Sequence, residues 1–400
     1  MKNQVRTLSE KEARLLFLQS QGLLNTAFGK GKQGALNTIE HLGYVQIDTL
    51  SVVARAHHHT LWNRLQDYKE PCLDELLEKD KAIFEYWSHA ASYLPMSDYR
   101  YSLPRKKDYS AGKSHWFNQD KKMNRYVIDK IKAEGPLQSK DFEFKREGAA
   151  NCYEWKPAKQ ALEQLFMEGK LMVARRQGFQ KVYDLAERVL PKNIETSCPS
   201  EKEYSEYLIK RAIQSNGIVA ENEIAYLRAG LKASINKALK HLIKTGEMIE
   251  LNLKGFGNAP FVTTAQQLSG IETIKLKDTI HLLSPFDNAV IQRKRLLRIF
   301  NFDYVIECYL PEPKRKYGYF TLPVLYNDAF IGRFDPKADR ASKTFYIKYM
   351  HFEKGFKPNE KFNSIFVKKL KEFSAFNGCE NIVIDKADAK WKKEMKSLLK

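Results

Sequence analysis

The sequence has no C-x-x-C pair, no long apolar run and too few acidic residues to balance its basic ones. Its five cysteines (Cys72, Cys152, Cys198, Cys308, Cys379) are odd in number and scattered. They offer neither a disulfide framework nor the ligand spacing of a zinc or iron–sulfur site. No uninterrupted apolar stretch reaches the ~18–20 residues of a membrane span, and Met1–Arg14 carries no apolar signal core. The expected location is cytoplasmic, with no membrane partner. Wholesale disorder is excluded too, because 43% of the residues are hydrophobic and 12% aromatic.

Positive charge is in excess: 67 Lys+Arg face 48 Asp+Glu, a net +19 over 400 residues. A surplus of that size fits a polyanion, with nucleic acid first and an anionic membrane surface second. The length allows roughly two to four domains.

One spacing occurs three times. Ala35, Leu36, Ile39 and Gly43 match Ala161, Leu162, Leu165 and Gly169, and both match Ala238, Leu239, Leu242 and Gly246. Each set predicts an amphipathic helix stopped by a glycine. Strand patterns follow: Tyr44–Thr49 in the first, Leu171–Arg175 with Lys181–Leu185 in the second, Glu247–Leu253 with Pro260–Thr263 in the third. Ser9 and Glu12 form a capping-box pattern that opens an earlier helix through about Gln21.

Helices followed by a longer amphipathic helix and a hairpin make the winged-helix plan, a helix-turn-helix variant. Duplex DNA is the first partner this predicts, and a protein-interaction module is the other. From about Ile280 the pattern turns to strands: Tyr304–Leu310, Tyr319–Tyr326, Phe330–Phe334 and Thr344–Tyr349, with a tight turn at Asn327-Asp328. A helix Phe362–Phe373 and a strand Asn381–Ile384 follow. The expected fold is α+β: three tandem winged-helix units (1–118, 119–196, 197–270), then a C-terminal β-rich, barrel-like domain (271–400).

Several stretches invite a chemical reading. Gly29-x-Gly31-x-x-Gly34 matches the dinucleotide fingerprint, but a helical pattern precedes it where the fingerprint needs a strand. It reads better as a basic loop, in which Lys30 and Lys32 can touch phosphates. His57-His58-His59 are consecutive and cannot converge on one ion from a helix, so no metal is expected. Arg55, His57 and His59 are instead candidates for facing phosphate, with packing as the alternative for this stretch. Arg175 and Arg176 in one hairpin, and Lys314, Arg315 and Lys316 with Tyr317 between two expected strands, are further candidate DNA contacts.

Comparing the repeats singles out one further place. Gln46 falls opposite Met172 and Ile249, and Asp48 opposite Ala174 and Leu251. Two units are apolar where the first has an amide and a carboxylate, placed on one strand face with Ile47 on the other. Burying a carboxylate is costly, so these residues occupy surface, cleft or functional positions. An exposed strand with harmless polar residues remains the alternative on this comparison alone.

Four segments carry a resemblance: VQIDTLSVVARAHHHTLW, WSHAASYLP, LLSPFDNAVIQRKRLLRIFNFDY and KRKYGYFTLPVLYNDAFIGRFDPKADR. Together they resemble the YcaQ/AlkZ-type winged-helix DNA glycosylases, from the first helix to about Tyr349. The resemblance implies excision of alkylated purines such as N7-alkylguanine, and unhooking of interstrand crosslinks. It also implies a catalytic Gln-x-Asp signature at Gln46-Ile47-Asp48, and a C-terminal hairpin at Pro313–Tyr319 that approaches the lesion. Asp48 and Gln46 are then the expected catalytic residues of a monofunctional enzyme that needs no metal or other cofactor. Such an enzyme is expected to be a nucleoid-associated monomer acting on double-stranded DNA with alkylated or crosslinked purines. A non-enzymatic winged-helix transcriptional regulator is the competing class, and it predicts that Asp48 is dispensable.

Overall fold

The computed structural model describes residues 6–24, 28–112, 120–142, 157–228, 230–255 and 260–399. A short strand β1 (Arg6–Leu8) precedes the first helix, Glu10–Ser20. The capping box forms as expected. Glu12 N donates to Ser9 Oγ (3.2 Å) and Ser9 N donates back to the Glu12 carboxylate (2.8 Å), which satisfies two otherwise orphaned amides.

The three repeated helices are Gly31–Leu42, Pro157–Met167 and Lys232–Lys244, and their repeated apolar residues face inward. Each is followed by its expected glycine in a left-handed conformation: Gly43 (φ +78°), Gly169 (φ +76°) and Gly246 (φ +80°). That turn releases the chain from the helix, and a strand starts two residues later in the first and second units and three residues later in the third.

After the glycines the units diverge. In the first, the expected strand Tyr44–Thr49 shrinks to β2 (Val45–Gln46). A hairpin made of β3 (Ile83–Trp87) and β4 (Ala91–Pro95) supplies its partner from far along the chain, giving the order β2-β4-β3. Val45 pairs with Tyr93 and Gln46 with Ser92, and Ile47 N adds one more bond to Ala91 O at 2.8 Å. Asp48 ends the strand: its carboxylate turns back to accept from Leu50 N (2.8 Å), an Asx-type turn that competes with strand pairing. The second unit has the expected hairpin, β5 (Leu171–Gln177) with β6 (Gln180–Leu185), turning at Gly178.

The third unit follows the capped helix Glu201–Asn216 and contains β7 (Val219–Ala220), β8 (Ile249–Leu253) and β9 (Phe261–Thr263). Residues 256–259, between β8 and β9, lie outside the described residues. The sheet order is β1-β8-β9-β7, so the N-terminal strand runs parallel to β8 in the third unit rather than joining the first. One buried apolar cluster runs from Phe28 to Val189, across the expected boundary at 118/119, while Leu208 to Val262 form a separate core.

The C-terminal sheet has the order β10 (Ile280–Leu282), β11 (Leu322–Tyr326), β12 (Ala329–Asp339), β13 (Thr344–Phe352) and β14 (Asn381–Ile384). Register shifts at Val324/Leu325 and Asp335/Pro336 increase its twist, and the result is a curled, open half-barrel. Helix Glu360–Phe376 covers it with Phe362, Phe366, Leu370 and Phe373. The expected strand Tyr304–Leu310 is absent, and residues 301–321 form a loop instead. No helix among the described residues is long and apolar enough to cross a membrane.

Candidate active site

Gln46 and Asp48 lie where the chain leaves β2. Gln46 is buried and Asp48 half-buried. Burial raises the Asp48 pKa, and backbone N–H groups of Leu50 and Thr49 oppose the rise. Among the described residues Asp48 forms no ion pair. On a chain of net charge +19, it is a carboxylate without a dedicated counter-cation. Burial raises the pKa values of Cys308 and Tyr309, and the Asp48 charge adds to both rises.

Tyr309 belongs to loop 301–321 and is 76% exposed, with Val305, Leu310 and Tyr319 also exposed beside it. Two carboxylates hold this loop in place of strand pairing. Glu307 accepts from the backbone N–H groups of Lys316 (3.0 Å), Tyr317 (2.7 Å) and Gly318 (3.1 Å). Asp335 accepts from Tyr319 N (3.0 Å) and Phe320 N (2.8 Å). Convergent amides of this kind form a natural anion cradle, and here the chain fills it itself.

Of the expected DNA contacts, Lys314 and Lys316 stand exposed on this loop. Arg315 is half-buried, donates to Leu310 O (2.9 Å) and lies 4.9 Å over the Tyr319 ring. Tyr317 is half-buried, between Arg333 (4.4 Å) and His351 (4.9 Å). Lys30 is exposed, whereas Lys32 is held by Asp80 (2.7 Å) and Glu75 (3.3 Å). Arg175 is half-buried and lines a small cavity with Glu78 and Asp184.

Three expected contacts are corrected. His59 is fully buried and its Nε2 donates to Leu282 O at 2.6 Å, joining the first unit to the C-terminal domain. His57 is buried against Tyr93 and stacked on Phe179. Arg176 grips Glu85 through two bonds (2.5 and 2.7 Å), with both side chains nearly sealed from solvent. None of the three is free to meet a phosphate; each is a packing or pairing element. Arg55 is intermediate, with its guanidinium 4.3 Å over Phe179.

The three consecutive histidines face different partners, since His58 Nδ1 meets the Tyr68 hydroxyl (2.7 Å). Among the described residues, no group of three or more His, Cys, Asp or Glu is placed to hold a metal ion. Gly31 begins a helix capped by Lys30 rather than following a strand, so the glycine-rich stretch is not a dinucleotide cradle.

His89, at the β3–β4 turn, is a site residue that residue patterns alone did not single out. Its Nε2 lies 3.1 Å from Gln46 Oε1. It also lines a cavity of about 650 Å³ with Tyr44, Trp87, Tyr226 and Arg228, which neither Gln46 nor Asp48 lines. The signal available in the sequence was the motif WSHAASYLP, which contains it.

Comparison with known proteins bears on the family and the fold. The family model described as "DNA glycosylase AlkZ-like" matches residues 39–361, which include Gln46, Asp48, His89 and the loop at 301–321. Among solved structures, the chain resembles the Streptomyces sahachiroi DNA glycosylase AlkZ with a TM-score of 0.62. That likeness covers 95% of this chain and 100% of the other at 13% sequence identity, and so bears on the fold alone. The extent of the family match decides the matter: the chain belongs to the AlkZ-like DNA glycosylase family.

Proposed function

We propose that this DNA glycosylase hydrolyses the N-glycosidic bond of N7-alkylated purines and unhooks interstrand crosslinks through such bases. In this reading it acts as a monomer and leaves an abasic site. The observation that carries the proposal is Asp48: a half-buried carboxylate with no ion-pair partner among the described residues, anchored by backbone amides beside an exposed aromatic and basic loop.

Alkylation at N7 makes guanine cationic and a good leaving group, so no strong general acid is needed. As the bond to C1′ breaks, the sugar gains oxocarbenium character, as in glycoside hydrolysis. The Asp48 carboxylate stabilises that positive charge and takes a proton from the attacking water. Partial desolvation makes it a better base, while the Leu50 amide fixes its orientation. Gln46 offers amide donors to the water or to the sugar-phosphate backbone. The three helix–glycine–strand units serve as tandem winged helices that hold the duplex, and the loop carrying Lys314 to Tyr317 approaches the lesion.

The test is incubation with duplex DNA containing N7-methylguanine, followed by alkali. Wild-type protein is expected to give strand breaks. Asp48→Asn is expected to lower the single-turnover rate by about 10²–10⁴-fold while DNA binding survives. Borohydride is expected to trap no covalent DNA adduct. Binding without breaks would return the chain to the class of non-enzymatic DNA-binding regulators, and full activity of Asp48→Asn would remove Asp48 from the catalytic role.

A further inference from the structure

The Gln46 carboxamide has one end already engaged, by His89. The His89 ring is clamped between Tyr44 (centroids 5.0 Å apart, 78° between planes) and Tyr226 (5.4 Å, 61°). Tyr226 is itself fixed by a bond from its hydroxyl to Ile291 O (3.2 Å). The turn carrying His89 is held on both sides of the ring: Ser88 N donates to Ala90 O (3.0 Å), and Arg228 donates to Ser88 Oγ (3.1 Å).

Burial, aided by the Arg228 charge, lowers the His89 pKa to about 4, so the imidazole is neutral at pH 7. A neutral imidazole has a single N–H. To bond a carboxamide oxygen it must donate from Nε2, which leaves Nδ1 bare. The amide oxygen of Gln46 is then occupied, and its two N–H donors are the end left for another partner.

We propose that His89 is a positioning residue that locks the Gln46 carboxamide in one orientation, with its NH2 group presented to the substrate. This deepens the function proposed above and rests on Gln46 belonging to the active site. It also narrows what Gln46 recognises. The partner must be a hydrogen-bond acceptor: a phosphate or deoxyribose oxygen, or a lone pair of the attacking water. It is not an N–H of the base. A carboxamide free to rotate could present either end; one tied to His89 cannot.

The experiment combines rates with a spectroscopic readout. His89→Phe keeps an aromatic ring between Tyr44 and Tyr226 but removes the donor. It is expected to slow N7-methylguanine release about 10–100-fold, as for other groups that orient a reacting side chain. Duplex affinity and melting temperature should change little. His89→Gln, which restores an N–H near the Nε2 position, is expected to recover much of the loss. In a Gln46→Ala background, His89→Phe should have no further effect on rate, and independent multiplying losses would overturn the proposal.

The second readout does not depend on activity. Imidazole ¹⁵N spectra of the full chain should show His89 as the Nε2–H tautomer, with its Nε2 signal shifting in Gln46→Ala. An Nδ1–H tautomer, or no response to Gln46→Ala, would overturn the inference whether or not the wild-type protein releases base. A wild-type protein that shows the tautomer but cuts no alkylated DNA would instead sink the glycosylase assignment of Gln46.

Discussion

Arg64 and Asp287 meet through two parallel hydrogen bonds of 2.8 and 2.9 Å, and neither side chain touches solvent. Burial pushes the Asp287 pKa up, but Arg64 more than compensates and the carboxyl ends below its ordinary range. The remaining Arg64 donors reach Gln21 O (2.7 Å), Gln21 Oε1 (3.2 Å) and Thr60 O (2.9 Å), so one guanidinium joins the first helical region to the C-terminal domain. Removing only Asp287, as in Asp287→Ala, strands a buried cation and is expected to cost about 3–5 kcal/mol in urea unfolding. Replacing both, as Arg64→Met with Asp287→Leu, should cost clearly less. Equal losses would show that the pair stabilises the fold on its own account.

Loop 301–321 depends on its internal carboxylates. Glu307→Gln keeps an acceptor oxygen but loses the charge that three amides share, and is expected to cost about 1–3 kcal/mol locally. Gly318 has φ +137°, and an added Cβ would lie 2.3 Å from Asp335 Oδ2, so Gly318→Ala should dislodge the loop more severely. Limited proteolysis within residues 301–321 should speed up in both variants before global unfolding does. Unchanged cleavage would show that the loop is held by something else.

Lys316 is exposed, and Arg315 shares its loop but is half-buried, with its Nε bonded to Leu310 O. If each neutralises one phosphate, the double substitution to alanine should flatten the dependence of log K on log salt by roughly 1.8. Binding isotherms at several salt concentrations measure that slope directly. A parallel shift with no change of slope would remove these residues from the contact surface.

Five histidines titrate far below their ordinary value because they are buried. His58 falls to about 3; His59, His89 and His281 fall to about 4; and His57 falls well below 6.5. The folded state therefore holds them neutral, while the unfolded chain protonates them below pH 6.5. Stability is full above that pH and declines as pH falls towards 4. Each histidine contributes a slope of up to ~1.4 kcal/mol per pH unit. Thermal melts between pH 7.5 and 4.5 should show a steep fall in Tm beginning near pH 6.5, and a flat profile would contradict the burial of these rings.

The features that were legible in the sequence are those whose causes are local. A helical period followed by a glycine free to take positive φ needs nothing from the rest of the chain, and all three helices with their glycine stops formed where expected. Comparing repeats also singled out Gln46 and Asp48 as candidates, because a carboxylate among apolar counterparts stands out without a structure. What failed depended on distant partners. The β2 strand is short because it pairs with β4 rather than with its neighbour in sequence, and Asp48 then turns the chain away. His57, His59 and Arg176 read as phosphate contacts because composition cannot reveal Phe179, Leu282 O or Glu85 beside them. His89 escaped notice for the same reason: its role exists only once the hairpin places it against Gln46.

The strand Arg6–Leu8 fastens the start of the chain to its third repeat, as a buckle closes a belt. The first and second repeats share a core, and the first helix packs on the helix Glu201–Asn216 beside that buckle. The repeats are thus not beads that can be cut apart and studied singly. Trimming past Leu8 would bare the edge of β8, an invitation to self-association, although the cut lies far in sequence from Asp48. Fusion tags placed close to Arg6 carry the same hazard.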